Sequence, residues 1–114
     1  SRRTGRWVIP KGWPMPDQRP YGAALTEADE EAGVEGKVDS TCIGVFRYIK
    51  HADRPDALPC AVAVYPVQVN RLKKTWREKA ERKRKWFSQK RAAAEVGEAD
   101  LAQIIREFDP KRRS

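Results

Sequence analysis

At 114 residues the chain has the length of one ordinary domain and is too short for two independent cores. Hydrophobic residues make up 39% and charged residues 35%, which excludes wholesale disorder; no apolar run approaches the roughly 18 residues of a membrane span and no signal-peptide core opens the chain, so a cytoplasmic protein with no membrane partner is expected. The net charge of +8 points to an anionic partner, and two cysteines at no metal-site spacing, Cys42 and Cys60, read as small core residues of a reducing compartment.

Along the chain, residues 6–10 (Arg-Trp-Val-Ile-Pro) read as a short strand closed by proline. Residues 11–16 form a loop because Pro10, Pro14 and Pro16 deny it a helix. Pro20 fits a first helical position, good helix formers run to Ala32, and Gly33 stands where a left-handed C-cap is wanted. Residues 38–49 and 60–69 are two apolar runs joined by a polar loop, a hairpin with a long connection. Facing Tyr48 with about Ala61 sets Cys42 far along the ladder from Cys60, so the thiols should not meet. Residues 86–87 read as a short strand, Ser88 as the cap of a helix to Val96, and residues 100–108 as a last helix with Leu101, Ile104, Ile105 and Phe108 on one face. One domain over 1–108 with a frayed basic tail at 109–114 is expected.

Charge is segregated. Residues 71–91 hold eleven Lys or Arg against Glu78 and Glu81, a net +9, while Glu27, Asp29, Glu30, Glu31 and Glu35 form the acidic counterpart. At 100° per residue, Glu30 and Glu31 lie about 60° and 40° to either side of Glu27, so three carboxylates share one helix face while Asp29 points to solvent. Their repulsion has no compensating base within the helix, so another group must neutralise them. A divalent cation held by oxygen ligands is one answer, and a solvated acidic face is the other.

The stretch Gly12 to Val34 resembles the Nudix box, G-x5-E-x7-R-E-U-x-E-E-x-G-U with U apolar. Gly12, Glu27, Ala28, Glu30, Glu31, Gly33 and Val34 fit it, whereas Gln18 stands where the box has Glu and Thr26 where it has Arg. Residues 5–12, Trp76 and 81–87 extend the likeness over about residues 1–108, to the diphosphoinositol polyphosphate phosphohydrolase branch. The resemblance implies an α/β Nudix fold, a mixed sheet sandwiched between helices (α/β/α). Such domains have one or two strands before the Arg-Trp strand; whether these are missing here or lie outside this chain is left open.

It further implies a pyrophosphohydrolase that uses Mg²⁺, with Mn²⁺ as the alternative, on a small, highly anionic substrate: a diphosphoinositol polyphosphate or a dinucleoside polyphosphate. Glu27, Glu31 and the Gly12 carbonyl would hold the metal. Glu30 would be the base, with Glu27 able to exchange roles with it, and Ser1, Arg2, Arg3, Arg6, Lys11 and Lys83 would contact phosphates. Two other readings stand beside it. A polyphosphate sensor with weak chemistry is favoured by Gln18 and Thr26; a nucleic-acid-binding module, with Lys73 to Lys85 as a stripe and Trp76 and Trp86 for stacking, leaves the carboxylate spacing unexplained. Nucleic acid is therefore not the expected partner, and the chain is expected as a monomer or homodimer. Trp13 could stack on a base or pack on its own domain, Trp7, Trp76 and Trp86 read as anchors, and the single histidine, His51, has no expected catalytic role.

Overall fold

The computed structural model describes residues 7–112. Helix α1 spans Pro20–Ala32 and ends as its sequence dictates: Gly33 adopts φ 65° and returns its amide to the carbonyls of Ala28 and Asp29. Four strands follow, β1 (Val34–Val38), β2 (Gly44–Lys50), β3 (Leu58–Val64) and β4 (Val67–Leu72), then α2 (Gln89–Glu95) and α3 (Ala99–Glu107). Strands β1 and β4 pair antiparallel, as do β2 and β3. Trp7 adds a parallel bridge to Val96, the part of the expected strand at 6–10 that lies within a ladder. The α/β class holds, with the sheet drawn as two antiparallel pairs and this bridge.

The expected run at 60–69 breaks into β3 and β4, whereas the run at 38–49 holds β2 and only the last residue of β1, whose other residues lie outside any expected strand. Asp39 accepts a bond from the Thr41 amide at 2.9 Å, an Asx turn that ends β1 before β2 begins. Pro66, which has no amide to donate, separates β3 from β4 and accepts the Asp39 amide at 2.9 Å. Strand β1 has a register shift between Glu35 and Gly36, and a Cβ on Gly36 would overlap the Gln68 carbonyl, so only glycine admits this approach.

In the β2–β3 hairpin Tyr48 faces Cys60 and Arg47 faces Ala61, one residue from the expected register. The thiols stay apart as expected, but Cys42 is exposed and Cys60 half-buried rather than core. Residues 86–87 form no strand: Phe87 meets the Trp7 ring edge-on at 5.0 Å between centroids, and Trp86 is 71% exposed rather than an anchor.

Ser88 caps α2 by accepting the Arg91 amide, and Gln89 Nε2 donates to the carbonyls of Ile105 and Phe108, closing the end of α3. Leu101 and Phe46 are almost fully buried where α3 crosses β2. Gly44 permits that crossing, since a Cβ there would stand 2.7 Å from Ile104 Cγ1. In the expected tail, Pro110–Arg112 forms a 3₁₀ turn. Among the described residues no helix is long and apolar enough to cross a membrane.

Candidate active site

The site is built where the loop at 11–13 meets the middle of α1. Glu31 is the one charged residue buried with the core among the described residues. Its Oε2 accepts the Lys11 amide at 3.1 Å, and its carboxyl group is hydrogen-bonded to that of Glu27, one helical turn earlier. Gly12 lies so close that a Cβ on it would overlap the Glu27 carboxylate. Gly12, Glu27 and Glu31 thus lie together where the loop meets α1.

Burial first, and then the Glu27 hydrogen bond, push the Glu31 carboxyl up to about 7 from its ordinary 4.5, against the pull of the Lys11 amide and Arg82. Arg82 Nη2 stands 3.9 Å from Glu31 Oε1, a long contact for a buried carboxylate. A buried carboxyl with a raised pKa beside a second carboxyl, in a site poor in countercharge, suits a hard divalent cation, which takes carboxylate and carbonyl oxygens. The residues present therefore fit Mg²⁺ or Mn²⁺. Among the described residues no three His, Cys, Asp or Glu side chains gather into a metal cluster.

The face expected to unite three carboxylates divides. Glu30 Oε2 accepts Arg77 Nη1 at 3.3 Å, away from the Glu27–Glu31 pair. Asp29, expected in solvent, pairs with Lys73 at 2.8 Å and raises the lysine pKa by its hydrogen bond. Much of the neutralisation demanded by α1 comes from the basic segment, whose residues read in sequence as mostly solvated. That segment is locked in place by Arg84. Its guanidinium stacks on Trp76 at 4.1 Å, donates to the Ala32 carbonyl at 2.7 Å and bonds the carbonyl of Lys73. Arg84 was not singled out in the sequence. The only signal there was the opposite charge of residues 27–35 and 71–91.

The two positions that depart from the box are partners. Gln18 Nε2 donates to Thr26 Oγ1 at 3.1 Å, and Thr26 Oγ1 also donates to the Gly22 carbonyl. A neutral hydrogen bond thus stands where the motif has a Glu and an Arg. Of the expected phosphate contacts, the Lys11 ammonium lies over the Tyr48 ring at 4.8 Å. Lys83 is exposed at the wall of a cavity of about 410 Å³ that Glu31, Arg82, Trp7 and Pro10 also line. Ser1, Arg2, Arg3 and Arg6 lie outside the described residues. His51 is exposed in the β2–β3 loop with φ 57°.

No family model matches the chain. It is 38% identical over 89 residues to the human diphosphoinositol polyphosphate phosphohydrolase 3-beta and 37% identical to the mouse 3-alpha protein, matching 76% of this chain and 50% of each relative. The mouse diphosphoinositol polyphosphate phosphohydrolase 2 is 35% identical over 89 residues, 45% of its length. The chain spans about half the length of the curated relatives it matches. With the box residues gathered at the loop and α1, the chain is homologous over those 89 residues to the diphosphoinositol polyphosphate phosphohydrolases, which are Nudix-family proteins.

Proposed function

We propose that the chain is a Nudix-type pyrophosphohydrolase that cleaves a phosphoanhydride bond in a diphosphoinositol polyphosphate or a dinucleoside polyphosphate. The convergence of Gly12, Glu27 and Glu31 carries this reading, because it sets two carboxyl groups and a backbone approach at one point on the box spacing. The names of the relatives support the chemical class and the inositol substrate.

Glu27, Glu31 and the Gly12 carbonyl would hold Mg²⁺ or Mn²⁺. When bound, such an ion offsets phosphate charge and polarises water. Glu30 is the proposed base that takes a proton from the attacking water, after releasing Arg77; that pair is solvent-exposed on the arginine side, so parting it costs little. Glu27 is the alternative base, and the activities of Glu27→Gln and Glu30→Gln decide between them. Lys11, Lys83 and the residues at 1–3 and 6 would hold the nonreacting phosphates by charge-assisted hydrogen bonds. Lys73, Arg77 and Arg82 already face carboxylates of α1, which removes three cations from the nucleic-acid stripe.

The test is incubation with a diphosphoinositol polyphosphate, a diadenosine polyphosphate and ADP-ribose, in Mg²⁺ or EDTA, with Glu31→Gln as control. Mg²⁺-dependent cleavage that falls by at least about 100-fold in Glu31→Gln is expected, since even outer-shell partners of a metal ligand are worth roughly 10–100-fold. Full activity in Glu31→Gln sinks the metal assignment. Binding without turnover of any substrate favours a polyphosphate sensor, the reading to which Gln18 and Thr26 lend weight.

A further inference from the structure

We propose that Trp13 and Lys50 form a stacking subsite for the base of a nucleoside or dinucleoside polyphosphate, beside the Glu27–Glu31 pair. Resting on the hydrolase reading, the inference adds which substrate the site selects.

Trp13 is 55% exposed, an unfavourable place for the largest apolar side chain unless something covers it. Its backbone is held from both sides. Gly12 is pressed against Glu27, and Pro14 confines Trp13 to extended conformations, so the ring is presented with little freedom left to lose on binding. Above the ring, 4.8 Å from its centroid, sits the Lys50 ammonium. Two residues earlier on β2, and on the same face of the strand, Tyr48 carries the Lys11 ammonium at the same distance. The Lys11 amide in turn bonds Glu31.

Rings and ammonium groups therefore alternate along one track that starts at the proposed metal site and ends at an exposed indole. A phosphate chain gains from the two lysines, and a flat base at its end gains from the ring. A cyclitol polyphosphate also gains from the lysines, but its saturated ring has no π face to lay on Trp13. The pair would thus discriminate between the two substrate classes that the lysines alone would treat alike.

Binding is read first, without turnover, by titrating ADP and inorganic tripolyphosphate separately into the wild-type, Trp13→Ala and Trp13→Phe proteins, following the indole N–H resonances. ADP should shift the one resonance that Trp13→Ala removes. The ratio of ADP to tripolyphosphate affinity should fall about tenfold in Trp13→Ala and return in Trp13→Phe, in keeping with stacking on an aromatic platform. The ratio of KM values for diadenosine and diphosphoinositol polyphosphates should move by a similar factor. Equal losses for ADP and tripolyphosphate, or an ADP complex that leaves the Trp13 resonance in place, overturn the subsite. ADP stacking on a protein that hydrolyses nothing keeps the subsite and removes the hydrolase, whereas diadenosine polyphosphate turnover indifferent to Trp13 does the reverse.

Discussion

Helix α1 carries two kinds of carboxylate. Asp29 and Glu30 lean toward the basic segment and take Lys73 and Arg77 at 2.8 and 3.3 Å, whereas Glu27 and Glu31 face the Gly12 loop and share a hydrogen bond with each other. The outer pair is settled by partners near water. Of the inner pair, Glu31 is buried against too little positive charge, with Arg82 at 3.9 Å, and Glu27 is half-buried beside it. Carboxylates of one helix, within five residues, thus divide into ion-paired and poorly balanced groups, and what divides them is which neighbour reaches them.

The largest expected test of that contrast is the pH dependence of stability in EDTA. Folded Glu31 keeps its proton up to about pH 7, whereas the unfolded chain releases it near 4.5. The folded state therefore binds the extra proton between those values. Its contribution, up to about 3 kcal/mol, is fully present below 4.5 and lost as pH rises through 7. Denaturant titrations across this window should show the decline, Glu31→Gln should flatten it, and a flat wild-type profile would erase the contrast.

Arg84→Met comes next. Losing the guanidinium bonds to the carbonyls of Ala32 and Lys73, and the stack on Trp76, should cost about 2 kcal/mol, read as a lower urea midpoint at constant slope. Smaller still is the coupling across Gln18 and Thr26. Gln18→Glu combined with Thr26→Arg should be more stable by about 1 kcal/mol than the two single changes sum to, because each single change strands a charge beside a neutral partner. Arg77→Met should cost no more than about 0.3 kcal/mol, and less in high salt, as befits an arginine exposed over most of its surface. A loss comparable to that of Arg84→Met would mean that the outer carboxylates are not the cheap ones.

Local signals were read well from the sequence. Pro20, the run of helix formers and Gly33 mark both ends of α1 as the structure has them, and Ser88 caps α2 as expected. Breaks set by distant partners were not legible. Strand β4 hides in the apolar run at 60–69 and β1 lies ahead of the run at 38–49, because their limits depend on Asp39 meeting Pro66, residues far apart in the chain. The one-residue register error at Tyr48 has the same origin, since the length of a loop leaves the pairing free to slip. At the site, the resemblance grouped Gly12, Glu27 and Glu31, while helical spacing grouped Glu27, Glu30 and Glu31. Spacing could not show that Glu30 turns to Arg77, because helical angles describe the helix and not its neighbours. The Gln18–Thr26 bond reads in sequence as two unrelated departures and in space as one exchange.

The Arg84 clasp also bears on the order of assembly. Residues 12–34 contain the whole box, but the guanidinium that closes the end of α1 lies 52 positions beyond Ala32, and the cations for Asp29 and Glu30 come from residues 73 and 77. Contacts of such separation carry a loop-closure cost that local helix formation does not. During synthesis the acidic helix therefore emerges well before the residues that balance it, with its carboxylates repelling one another until the segment after β4 has been made. A fragment ending near residue 70 would contain every letter of the motif and lack the charge balance that keeps the helix in place.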